Sequence, residues 1–100
     1  MNHGVDTAVI AEIWSVIQEW AKNPSQESYT SRLLGDVNGI DKVLEKVGEE
    51  STEFIIAVKN KKKERTVEEA SDLLFHLLVA LYAAEIDLPD VMKELERRRR

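Results

Sequence analysis

The sequence predicts an all-α fold of four main helices. Three observations carry that expectation. Apolar residues recur at intervals of three and four along most of the chain, glycine, proline and polar clusters fall between those stretches, and no segment alternates as a half-buried strand would. A chain of 100 residues is expected to form one domain, residues 1–100, with a core small enough that a homodimer would complete it.

The first helix opens after Asp6 or Thr7, carries Ile10, Ile13, Trp14, Ile17, Trp20 and Ala21 on one stripe, and stops at Asn23-Pro24. Both tryptophans follow the stripe and are expected in the core. Ser25 to Asn38 is polar and reads as an ordered connector with one short helical turn, Ser28 to Leu34. The second long helix runs from Ile40 to Asn60 on a stripe of Ile40, Val43, Leu44, Val47, Ser51, Phe54, Ile55 and Val58. Lys59 to Arg65 holds five basic residues among seven, lacks apolar periodicity and reads as a solvated turn.

Thr66 and Glu69 have capping-box spacing and are expected to open the third long helix. Within that helix Leu73 to Ala84 is apolar at every position except His76. A helix apolar all round is buried all round, so a partner subunit is expected to cover part of it. Asp87 then caps a last short helix, Leu88 to Arg97, with Pro89 in its first turn and arginines at the end its dipole favours.

Composition narrows the chemistry. With 19 acidic against 14 basic residues the net charge is -5, which argues against a general nucleic-acid or membrane-surface binder. The absence of cysteine excludes disulfides and thiolate metal ligands, leaving oxygen and imidazole. Neither a spanning apolar run nor a signal-peptide pattern is present, so a soluble, cytoplasmic protein is expected.

The residues that carry chemistry are acidic. At about 100° per residue, and with the second helix's stripe centred on Ile40 and Val58, Glu49 points away from the core, Glu53 lies roughly 40° from Glu49 and Glu50 flanks the stripe. Lys42 and Lys46 share that sector. On the third long helix Glu69, Asp72 and His76 stack on one face. Packing the two helices antiparallel brings Glu49, Glu50 and Glu53 beside Glu69 and Asp72, a crowd of like charges that a hard cation such as Mg²⁺ or Mn²⁺ would compensate. Mg²⁺ commonly bridges to phosphates, which points to phosphate-ester chemistry. The same spacing also fits a solvated acidic surface, with Glu69 as a capping acid and the lysines as i,i+3 or i,i+4 partners. His76 reads as a hydrogen-bonded core histidine rather than a ligand.

Glu49-Glu50-Ser51-Thr52-Glu53 followed by Glu69-Ala70-Ser71-Asp72 resembles the EExxE…ExxD signature of the all-α nucleoside triphosphate pyrophosphohydrolases, the MazG-like superfamily. Three blocks narrow the resemblance to the phosphoribosyl-ATP pyrophosphatase family: Ser28 to Leu34 (SYTSRLL), Lys46 to Glu50 (KVGEE), and Glu69 to His76 (EASDLLFH). Ser51 and Ser71 stand where that family usually has alanine, and Phe75 where it often has tyrosine. The resemblance covers nearly the whole chain and implies a helical bundle completed by dimerisation. It also implies Mg²⁺-dependent hydrolysis of phosphoribosyl-ATP to phosphoribosyl-AMP and pyrophosphate, the second step of histidine biosynthesis. The five carboxylates would hold metal and act in catalysis, and Arg32, Lys42 and Lys46 would contact phosphates. A fused cyclohydrolase domain does not fit in this length, so the next step is expected of another protein. The rivals are a house-cleaning pyrophosphohydrolase acting on ordinary or damaged nucleotides and a non-enzymatic oligomerisation module. A di-iron carboxylate bundle fits poorly, since it needs histidine three residues after glutamate.

Overall fold

The computed structural model describes residues 4–99, and among them every regular element is helical. The order is α1 (Ala8–Lys22), α2 (Tyr29–Leu34), α3 (Ile40–Lys59), α4 (Lys63–Ala83) and α5 (Leu88–Arg97). The four main helices and the short one in the connector therefore match the periodicity. Asp6 starts α1 by accepting the Ala8 N–H at 3.0 Å, and Asn23 ends it before Pro24. Ser28 caps α2 by accepting the Ser31 N–H at 3.2 Å. Ser31 ties α2 to α1 by donating its hydroxyl to the Trp20 carbonyl at 3.0 Å. Gly39 precedes α3 at φ 60°, ψ -137°, a conformation that a Cβ would strain.

α3 packs along α4 more extensively than any other pair of helices. The link between them is shorter than the basic run suggests. Lys61 adopts φ 55°, its N–H reaches the Val58 carbonyl at 3.0 Å and the Lys62 N–H reaches the Ala57 carbonyl at 3.1 Å, which closes α3 in a Schellman motif. α4 begins at the next residue, because Lys63, Glu64 and Arg65 are good helix formers with no breaker among them. Thr66 thus lies one turn inside α4, where its hydroxyl donates to the Lys62 carbonyl at 2.8 Å. The capping box does not form, and Glu69 is released from that structural duty. Asp87 occupies the cap position of α5 but makes no side-chain capping bond.

The core draws on all five helices: Trp14 and Ile17, Leu33, Val43, Leu78 and Val79, and Leu88. Trp20 lies outside it, partly exposed, because α2 engages its backbone rather than its ring. The buried line of α3 is also not the expected one. Val43, Glu50 and Ala57, spaced by heptads, face inward, roughly 80° round the helix from the line through Ile40 and Val58. Glu50 therefore sits in the α3–α4 seam instead of beside the stripe. The expected stripe becomes a flank, with Ile55 59% exposed and Leu44 and Val58 also open. On α4 Val67, Leu74 and Leu77 are exposed as well, Leu74 at 52%. In the single chain α4 thus buries Glu69, His76, Leu78 and Val79 and leaves these apolar side chains open.

Candidate functional site

The seam between α3 and α4 changes character along its length. Val43 and Val79 are fully buried apolar residues, while Glu50 and Glu69 are buried carboxylates. Glu50, Glu69 and Asp72 each offer an oxygen, and these oxygens lie within 4.8 Å of one another. Glu50 and Glu69 keep only 9% and 3% of their side-chain surface exposed. Neither Glu50 Oε2 nor Glu69 Oε2 has a hydrogen-bond partner. A buried acceptor left unmade costs about 1–3 kcal/mol, and more when it is charged. The protein therefore maintains two such atoms side by side on facing helices.

The other predicted acids stand around this centre. Glu53, one turn beyond Glu50, lies beside Glu69. The Glu69 carboxyl beside it, as a close polar neighbour and as a like charge, raises the Glu53 carboxyl from its ordinary value. Glu49 is half exposed and pairs with Lys46 at 3.4 Å, while the same ammonium stands 3.8 Å from Glu50. Burial alone would lower the pKa of Lys46, but Tyr29, Glu49 and Glu50 outweigh it and raise it. The geometry thus gathers Glu50, Glu69 and Asp72, puts Glu53 and Lys46 next to them, and turns Glu49 outward. Lys42 pairs with Glu45 at 3.6 Å, and Arg32 donates to the Gln26 carbonyl at 2.8 Å within the connector. Neither makes a polar contact with the carboxylates.

Sequence reasoning did not anticipate two features. Arg65, read as part of a solubilising turn, sits on α4 and reaches Glu69 Oε1 at 2.5 Å and Glu68 Oε1 at 2.7 Å. The four-residue step from Arg65 to Glu69 would have exposed that pair once both residues were assigned to helix. The second feature joins α2 to the site. His76 is buried, and its Nδ1 lies 2.8 Å from the Asp72 carbonyl, which can only accept. Nδ1 therefore carries the proton, and Nε2 accepts the Tyr29 hydroxyl at 2.8 Å. Tyr29, Phe75 and His76 pack ring against ring, with centroids 5.2–6.2 Å apart. His76 is the hydrogen-bonded core histidine expected, and it holds the start of α2 beside Asp72.

The donor set consists of carboxylate oxygens, which suits a hard divalent ion of the Mg²⁺ or Mn²⁺ type. Two orphaned buried oxygens within reach of a third carboxylate are the positions such an ion would satisfy. An all-helical chain whose central hairpin gathers buried acids falls in the class of helical proteins with carboxylate-lined sites. Comparison with known proteins makes the class particular. The sequence model of the family described as phosphoribosyl-ATP pyrophosphohydrolase matches residues 10–99, and the chain belongs to that family. Curated relatives agree along nearly their whole length. A phosphoribosyl-ATP pyrophosphatase of Methanoregula boonei is 69% identical over 96 residues, covering 96% of this chain and 92% of the relative. Those of Methanosphaerula palustris and Methanoculleus marisnigri are 59% and 58% identical over 95 residues, covering 95% of this chain and 96% and 98% of the relatives.

Proposed function

We infer that this protein hydrolyses phosphoribosyl-ATP to phosphoribosyl-AMP and pyrophosphate, the second step of histidine biosynthesis, with Mg²⁺ as its cofactor and the cytoplasm as its location. The observation that carries the metal-dependent reading is that Glu50 and Glu69, whose oxygens converge with that of Asp72, each keep a buried oxygen without a partner. Family membership supplies the substrate.

Glu50, Glu69 and Asp72 would hold the ion, with Glu53 and Glu49 at the rim. Bound there, a divalent ion would stabilise charge on the phosphates and lower the pKa of an attacking water. The chain's own residues do the rest. A rim carboxylate, Glu49 or Glu53, accepts the proton of the water. Water oxygen bonds to the α-phosphorus and the bridging oxygen leaves with pyrophosphate. Lys46, already drawn toward Glu50, sets positive charge at the edge of the seam for the polyphosphate. Arg32 and Lys42 remain candidate phosphate contacts in the wider rim. Tyr29 and His76 orient the α2 end of the site.

The protein further acts as a homodimer, each copy covering the other's apolar flank of Leu44, Ile55, Val58, Val67, Leu74 and Leu77, in a MazG-like bundle. That much exposed aliphatic surface along two neighbouring helices of a small protein is the pattern of an interface. The deciding assay follows pyrophosphate release from phosphoribosyl-ATP, dATP and dUTP, with and without Mg²⁺. Metal-dependent turnover of phosphoribosyl-ATP above the other two is expected. Faster turnover of dUTP would assign the chain to the house-cleaning relatives, and no release from any substrate would remove the enzymatic reading.

A further inference from the structure

Glu69 is fixed and Arg65 is not. The Glu69 side chain is 3% exposed, whereas that of Arg65 is 59% exposed and reaches inward from solvent along one turn of α4. One Glu69 oxygen accepts from Arg65 Nη2, and the other has no partner. The second arm of the guanidinium rests on Glu68, an exposed residue that stays available to it whatever happens at Glu69. Arg65 also lines a shallow groove with Glu53 and Lys62 at the hairpin's turn end, beside the carboxylate cluster. A guanidinium on Glu69 neutralises part of the charge that a divalent ion needs, and it sets a like charge next to the position the ion would take.

We propose that Arg65 is the resident counter-ion of Glu69 in the metal-free protein and that a divalent cation binding Glu50, Glu69 and Asp72 competes with it for the charge of Glu69. Arg65 is then a competitor of the metal rather than an aid to it. It lowers the cost of keeping Glu69 buried while the site is empty, and its arm on Glu68 keeps it anchored when the ion draws on Glu69. The inference rests on the metal reading above, since it names what the metal competes with.

The test compares Arg65→Gln with Lys62→Gln, which removes the same charge from the same groove without touching Glu69. Calorimetric titration with Mn²⁺ measures affinity, and thermal unfolding is followed with and without the ion. Arg65→Gln is expected to tighten Mn²⁺ roughly tenfold and to lower the Tm of the metal-free protein only, while Lys62→Gln shifts neither strongly. A purely structural i,i+4 pair would lower both melting temperatures alike and leave affinity unchanged, which overturns the proposal. Equal tightening by Lys62→Gln would reduce the effect to the general field and overturn it as well. Weaker Mn²⁺ binding in Arg65→Gln would make Arg65 a support of the site and also overturn it. Failure of the unaltered chain and of Arg65→Gln alike to bind Mn²⁺ would instead sink the metal reading itself.

Discussion

The two sides of the α3–α4 hairpin are incomplete in opposite ways. On one, carboxylates are kept where burial penalises charge; on the other, aliphatic side chains are kept where water penalises them. The costs are of similar size per residue, about 1–3 kcal/mol for an unmade buried acceptor and about 1.5–3 kcal/mol for a large apolar side chain left out of a core. The remedies differ. An apolar flank is satisfied by any well-shaped apolar surface, whereas the acidic side needs a cation of defined charge and donor preference. On the proposed function, specific chemistry would belong to the acidic side and assembly to the apolar one.

Asp72→Ala should break the acidic side most severely. Asp72 is exposed, and only its backbone carbonyl is used by His76, so the fold keeps its helices while turnover falls roughly 10³-fold, about 4 kcal/mol. Circular dichroism alongside the pyrophosphate assay checks both halves, and activity surviving the change would take Asp72 out of the site. The apolar side is broken by Leu74→Glu. A charge within that exposed apolar surface should weaken self-association at least roughly a hundredfold, about 3 kcal/mol. Sedimentation should then report single chains at concentrations where the unaltered protein pairs. An unchanged mass would move the interface elsewhere.

The smallest effect sharpens the comparison by turning one side into the other. Glu50→Leu replaces a buried carboxylate that has an unpartnered oxygen with an aliphatic group, and Lys46 retains Glu49 as its partner. Metal-free stability should rise by about 1–3 kcal/mol in urea unfolding, since the desolvation of the charge is removed. A loss of stability would mean that Glu50 is better compensated than its orphaned oxygen indicates.

Most helix boundaries were legible because local chemistry sets them: Asp6 and Pro24 around α1, Ser28 at α2, Gly39 before α3 and Pro89 in α5. The start of α4 was not. Thr66 and Glu69 imitate a cap, and the stronger signal was the absence of any breaker across Lys63 to Arg65. The seam was misplaced for a different reason. Hydrophobic periodicity locates apolar surface but does not distinguish a face buried within the chain from one left open, so the aliphatic stripe drew the expected core toward Ile40 and Val58. Glu50, sharing a line with Val43 and Ala57, fell at the margin because its angle was measured from that misplaced centre. The convergence of the acidic motif was legible, since Glu50, Glu69 and Asp72 do come together across α3 and α4. Arg65 stayed hidden inside a run that reads as solvated charge.

The three-residue link Asn60 to Lys62 has a consequence for how the molecule is built as a chain. So short a loop closes at little entropic cost, and the contacts it brings together are near in sequence, which is the regime of rapid folding. The α3–α4 hairpin is thus the element best placed to form first, with α1, α2 and α5 condensing onto it afterwards. Its acids meet before the core behind them is sealed, so the nascent hairpin carries its electrostatic strain at the least stable stage of its life. Divalent ions present at that stage would act on folding yield as well as on the finished protein.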